Sequence, residues 1–242
     1  SGGERVLSSP QEIDASADMT ELTLQIISRT MFSTDQLVDL IGRTMAQGFE
    51  SQNFNILDIL PVIGPARMKE REARMAALFR PLDDEIAKLI AAREGRLADG
   101  PQDLLARLVA AKDDETGQGL TAQEVRDEVI TIFIAGHETT ATAMGWLWYV
   151  LSQQPAEEAR LHEELDRVLG GRTPTQEDLA NLPYTRRVVD ETMRLFPPAP
   201  GISNRVALES DEVGGHKVKP GDNMLVFPWV LHRHRDLWED PE

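Results

Sequence analysis

The stretch from Thr121 to Gln153 constrains this chain most, with Ala135-Gly-His-Glu-Thr-Thr140 at its middle. Thr121 followed by Glu124 reads as a capping box, and no proline interrupts the chain before Pro155, so the spacing predicts one helix of about 50 Å. Its apolar residues, among them Val129, Ile132, Phe133, Met144, Trp146 and Val150, are spread around every face, the pattern of a helix buried among others. An interior glycine costs about 1 kcal/mol against alanine, so Gly136 requires a reason. Ala135, Gly136, Thr139 and Ala143 share one face at i, i+3, i+4 spacing and form a small-residue notch with one hydroxyl inside. A flat ligand fits such a notch.

Glu138 stands beside it, a carboxylate in an apolar helix, and such groups are paired or used. One competing reading is a helix crossing in which Gly136 allows close approach and Glu138 meets a lysine or arginine. A membrane span fails because His137 and Glu138 split the apolar run into pieces too short for a bilayer. A zinc-protease helix fails as well, since its second histidine would be residue 141, which is Ala141.

The net charge of −16, from 41 acids and 25 bases with no basic run, argues against nucleic-acid binding and against an anionic membrane surface. With no cysteine in its 242 residues, the chain can form no disulfide, zinc-thiolate site or cysteine nucleophile of its own. The start shows no signal peptide or anchor, which makes the cytoplasm the simplest compartment. Both ends look cut: the chain opens without methionine and stops at Trp238-Glu-Asp-Pro-Glu242 inside a polar loop.

The rest reads as mainly α. Helices are expected over Ser16 to Phe32, Gln36 to Phe49, Arg67 to Arg93 with a kink or break near Arg80 at Pro81, and Pro101 to Ala111 with Pro101 opening it. A charged, solvated helix follows Pro155 as far as Leu169, and another runs from Tyr184 to Leu195. Only then does the period switch to short strands, at Ser203 to Leu208, on either side of Gly214-Gly215, and at Asn223 to Phe227, as in a small antiparallel sheet. On the second of these helices Glu191 and Arg194 lie three apart and can pair. The sequel Leu-Phe-Pro-Pro198 stops the helix sharply, so a buried pair there would bracket the helix to the next loop.

Taken together, Ala135-Gly-His-Glu-Thr-Thr140, then Glu191 and Arg194, then His232-Arg-His-Arg-Asp-Leu-Trp238 before Asp240-Pro-Glu242 resemble the cytochrome P450 family of haem-thiolate monooxygenases. The resemblance implies that residues 1–242 are the central portion of a single domain of that fold, truncated at both ends, with a small antiparallel sheet near the C-terminus. It implies haem b (iron protoporphyrin IX) as cofactor, O2 and a small organic substrate as reactants, and a ferredoxin or flavin reductase as electron donor. The axial cysteine would lie outside the chain, so this chain alone should not be a working enzyme.

By the same resemblance, Ala135 and Gly136 let haem and oxygen approach the helix, Thr139 donates a hydrogen bond to the bound oxygen, and Glu138 relays protons. Glu191 and Arg194 are structural, Arg205 matches a propionate-binding arginine, and His232 contacts a propionate or the missing turn. The apolar loop from Phe54 to Pro65 falls where the family has its substrate-access lid, and Ile202 where substrate contacts occur. The alternative from another class is a non-catalytic helical interaction module, in which Gly136 marks a helix crossing and Glu138 a structural pair.

Overall fold

The computed structural model describes residues 13–35, 38, 40–44, 64–97 and 99–242, with the backbone alone at 64–68, 203 and 204. The helices are α1 (Ala15–Phe32), α2 (Gly64–Glu94), α3 (Leu104–Ala110), α4 (Ala122–Gln153), α5 (Pro155–Leu169), α6 (Pro183–Leu195) and the short α7 (Pro228–Leu231). Residues 38 and 40–44 are also helical. The remainder of the helix expected over 36–49, and nearly all of the loop expected at 54–65, lie outside the described residues.

Strands β1 (Ile202–Val206) and β4 (Asn223–Val226) pair antiparallel, as do β2 (Asp211–Val213) and β3 (His216–Val218). The single small sheet expected from sequence is thus two separate two-stranded sheets. Gly214 and Gly215 make the β2–β3 turn at φ of 57° and 82°, a backbone that other residues rarely adopt.

Two helix boundaries differ from the sequence expectation. Helix α2 runs unbroken through Pro81 for 31 residues. Pro81 and Ala77 are both exposed, so water can satisfy the Ala77 carbonyl that the proline leaves without a donor. Leu82, Ile86 and Ile90, all buried, hold the far side of the helix in register. Helix α3 begins at Leu104, because Asp103 caps it by accepting from the Ala106 N–H at 3.0 Å, which leaves Pro101 outside.

The chain forms two compact units, and the division falls inside α4 between Glu138 and Thr139. The first, Thr20–Glu138, is built on a continuous apolar core of Leu24, Met31, Phe32, Ile41, Leu82, Ile86, Ile90, Leu105, Val125, Val129 and Phe133. Arg93 locks its corner: it pairs with buried Asp103 and donates to the Phe32 carbonyl at 3.1 Å, so one guanidinium ties the ends of α1 and α2 to the start of α3.

The second unit comprises Thr139–Glu242 with the described residues up to Met19. Buried Glu164 of α5 caps α6 there, accepting from the N–H groups of Tyr184 at 2.9 Å and Thr185 at 2.7 Å. Tyr184 also donates its hydroxyl to Glu157, while Arg160 lies 4.7 Å from its ring centroid. The α5 helix is therefore anchored through one face rather than merely solvated. No helix among the described residues is long and apolar enough to cross a membrane.

Candidate active site

The capping box that opens α4 forms as the spacing predicts: the Thr121 N–H donates to Glu124 Oε2 at 2.7 Å, and the Glu124 N–H donates to Thr121 Oγ1 at 3.3 Å. From there α4 continues for 32 residues, about 48 Å at 1.5 Å per residue. Its sides are unlike. Val125, Val129, Phe133, His137 and Ala141 form one buried i, i+4 row, whereas Thr131, Ala135 and Thr139 form an exposed row. Two residues along a helix is a rotation of about 200°, so Thr139 and His137 face opposite ways.

His137 belongs to the core. It is 3% exposed, its Nδ1 lies 3.3 Å from the Phe133 carbonyl, and its ring centroid is 5.6 Å from that of Phe133. Gly136 faces α1: a Cβ added there would sit 3.1 Å from Ile27 Cδ1. The glycine expected to open a ligand notch instead lets α1 approach, as the helix-crossing reading had it. Of the remaining small residues of that face, Ala135 and Thr139 are exposed and Ala143 is half-buried. Glu138 is half-buried, about 100° round the helix from Thr139.

On the Thr139 side, within the second unit, α4 and α6 enclose a cavity of about 450 Å³. Thr139, Ala143 and Leu147 line one wall and Val189 and Met193 the other, with Pro198 and Ala199 closing one end. No charged side chain lines it. Thr192 Oγ1 donates to the Val188 carbonyl at 2.8 Å, and Thr139 and Thr140, which also line the cavity, are on the exposed surface of α4. Of the four notch residues read from the sequence, only Thr139 and Ala143 line this cavity, and Val189 and Met193 of its other wall were not foreseen. Their two-turn neighbourhood with Glu191 and Arg194 was the available signal.

At the C-terminal end of α6 the expected bracket is present. Arg194 is 7% exposed and holds Glu191 with two bonds of 2.7 Å, while its Nη1 donates to the carbonyls of His232 at 2.8 Å and Pro241 at 2.9 Å. The Trp238 ring lies 5.0 Å from its Cζ. The bond from Glu191 raises the Arg194 pKa above its ordinary value, which keeps the guanidinium charged. Only the arginine is buried, however; the Glu191 side chain is 54% exposed, so this is not the fully buried pair expected.

His232 has its Nδ1 3.1 Å from the Arg194 carbonyl, so this nitrogen serves the bracket and not a ligand. Arg205 is exposed on β1, opposite Met224 of β4, and Ile202 is exposed on the same strand. Among the described residues no three His, Asp or Glu side chains cluster as a metal site.

Comparison with known proteins gives this arrangement a family. The cytochrome P450 family model matches residues 4–242. Cyclooctatin synthase of Streptomyces melanosporofaciens is 38% identical over 241 residues, covering 95% of this chain and 50% of that protein. Pentalenene oxygenase of Streptomyces avermitilis is 32% identical over 235 residues, covering 94% and 50%. Among solved structures, the P450DA heme domain superposes with a TM-score of 0.78 at 27% identity over 97% of this chain and 51% of its own. The chain thus spans about half the length of the relatives it matches, and it belongs to the cytochrome P450 family.

Proposed function

We propose that this chain is the central portion of a haem-thiolate monooxygenase that inserts one oxygen atom from O2 into an uncharged, carbon-rich substrate. The observation that carries the proposal is exposed Thr139 of α4, which lines an uncharged cavity whose other wall is α6. A flat, largely apolar macrocycle fits such residues: methyl groups and a thioether offer contact area, and no buried charge opposes it. The haem, when bound, supplies the oxygen-activating chemistry. Its thiolate has to come from outside these residues, which contain no cysteine.

The chain's own residues supply positioning and protons. Ala135 adds only a methyl to the exposed side of α4, and Thr139 places its side chain on that same side. Glu138, half-buried and about 100° round the helix from Thr139, is the acid that would relay a proton to it through water. Arg205, exposed on its strand, remains available for a propionate. Arg194 fixes the segment carrying His232 and Pro241 against α6. The substrate class follows from the uncharged cavity and from two relatives whose names specify an unsaturated alcohol or hydrocarbon: cyclooctat-9-en-7-ol 5-monooxygenase and pentalenene oxygenase. The electron donor is a ferredoxin or flavin reductase.

The test uses the full-length protein. Reduced and exposed to carbon monoxide, it should give the Soret band of thiolate ligation; its absence rejects the proposal. With an oxidisable hydrocarbon, Thr139→Ala should keep consuming reductant while diverting oxygen to peroxide, and Glu138→Gln should slow turnover. His137→Leu, on the opposite side of α4, should leave the peroxide share unchanged. Tightly coupled product formation by Thr139→Ala would remove Thr139 from proton delivery.

A further inference from the structure

Three arginines whose side chains are at most 30% exposed have carboxylates: Arg93 has Asp103, Arg126 has Asp83 and Arg194 has Glu191. Arg233 does not. Its Nη1 is buried without a hydrogen-bond partner, and no carboxylate among the described residues comes within ion-pair distance. A buried guanidinium donor without an acceptor carries an uncompensated desolvation cost.

What Arg233 does have is an aromatic seat. Its Cζ lies 4.4 Å from the ring centroid of Trp229 and 5.7 Å from that of Phe196. Phe196 is itself stacked on Trp146 at 4.4 Å with the rings 11° apart. The rings attract the positive charge and restrict the side chain, but they leave Nη1 unbonded. A guanidinium held in this way is preorganised for an oxyanion that accepts from paired N–H groups, and the oxyanion that protein side chains and haem both carry is a carboxylate.

We infer that Arg233 is one half of a carboxylate-binding site, seated on Trp229 and Phe196, whose carboxylate comes from outside the described residues. None of its three residues lines the cavity between α4 and α6. The carboxylate has two possible sources, a side chain of the full-length protein or an acid side arm of the bound haem. The two give different results with and without haem.

The sign of a stability change tests the inference. In the full-length protein, thermal unfolding of Arg233→Met is followed with haem bound and after haem removal. If a carboxylate sits on Arg233, the substitution strands it, and the midpoint should fall by roughly 5–10 °C. An equal fall in both forms identifies a side-chain carboxylate, and a fall confined to the haem-bound form identifies the haem. A midpoint unchanged or raised in both forms overturns the inference, because an apolar side chain would then have relieved an unpaired donor. Arg233→Lys keeps the charge but loses the paired donors, so its midpoint should lie between the other two. Should the methionine variant not fold, a wild-type midpoint for the lysine variant overturns the inference equally.

Discussion

The two compact units are held together by different physics. Thr20–Glu138 has eleven buried apolar residues in one cluster. Thr139–Glu242 buries only Ala141, Leu151, Leu161 and Leu182 among its apolar side chains and leaves Trp146, Trp148, Phe227, Trp229 and Leu237 exposed. Its order comes from directed polar bonds instead: Glu164 capping α6, Asp178 joining Arg172 to Thr175, and Arg194 bracketing α6 to residues 232–241. Burial is non-directional and tolerant, whereas a guanidinium that must meet two carbonyls fixes a loop to within the tolerance of a hydrogen bond. The unit that carries the Thr139 cavity is the one built by direction.

The largest effect should come from the apolar unit. Phe133 is 3% exposed, stacked on Phe32 at 6.2 Å and tilted against His137 at 5.6 Å. Phe133→Ala removes both contacts and leaves a cavity, at a cost of about 3–5 kcal/mol. All four tryptophans lie beyond residue 138, so the loss should be read by urea unfolding followed in far-UV circular dichroism. A cost below about 1 kcal/mol would mean that the core is not the support described.

Next is Arg194→Ala, which leaves the His232 and Pro241 carbonyls without their donor, at about 3 kcal/mol. Glu191→Ala should cost far less, about 1 kcal/mol, because its carboxylate is half exposed and screened by water. Trp238 stacks on Arg194, so its fluorescence reports the bracket directly. Equal losses for the two substitutions would restore the picture of a fully buried ion pair.

Acid should act on the polar unit before the apolar one. Burial pushes the Glu164 carboxyl up, but the N–H groups of Thr185 and Tyr184 outweigh it and hold the group below its ordinary value. Arg172, then the Thr175 N–H, lower Asp178 likewise. A carboxyl whose folded pKa is depressed contributes stability above its unfolded value, about 4, and loses it as pH falls through the folded value. Tryptophan-detected stability should therefore drop as pH falls below about 4, and Glu164→Gln should flatten that dependence. An unchanged slope in the variant would remove Glu164 from the cause.

How much of this was legible in the sequence follows the same division. The capping box at Thr121 and Glu124, and the pair at Glu191 and Arg194, were legible because both are local: three residues of helix fix the partners. Pro81 misled because an exposed proline in a helix whose other side is buried can keep its place, and which side is buried is a tertiary fact. Asp103 was missed as a cap because Pro101 was the stronger local start signal. The carbonyl partners of Arg194 lie 38 and 47 residues away and leave no trace in periodicity.

Gly136 is where the sequence divided most evenly and where the smallest effect is expected. A notch for a ligand and a helix crossing both require a missing side chain, and spacing along one helix cannot tell them apart. The position of Ile27 can. A methyl at residue 136 would meet Ile27 Cδ1 at 3.1 Å, the far end of a flexible side chain, with Cγ1 at 3.7 Å. Replacing an interior glycine by alanine gains about 1 kcal/mol in helix propensity, and displacing a terminal methyl by a few tenths of an ångström costs a similar amount. Gly136→Ala should therefore change stability by less than about 1 kcal/mol, and Gly136→Val should lose several times more, because its branches cannot avoid Cγ1. In the full-length protein, both variants should keep the Soret position of the parent, since residue 136 faces α1 and not the open row of Ala135 and Thr139. A Soret shift in Gly136→Ala with unchanged stability would return the glycine to the ligand face.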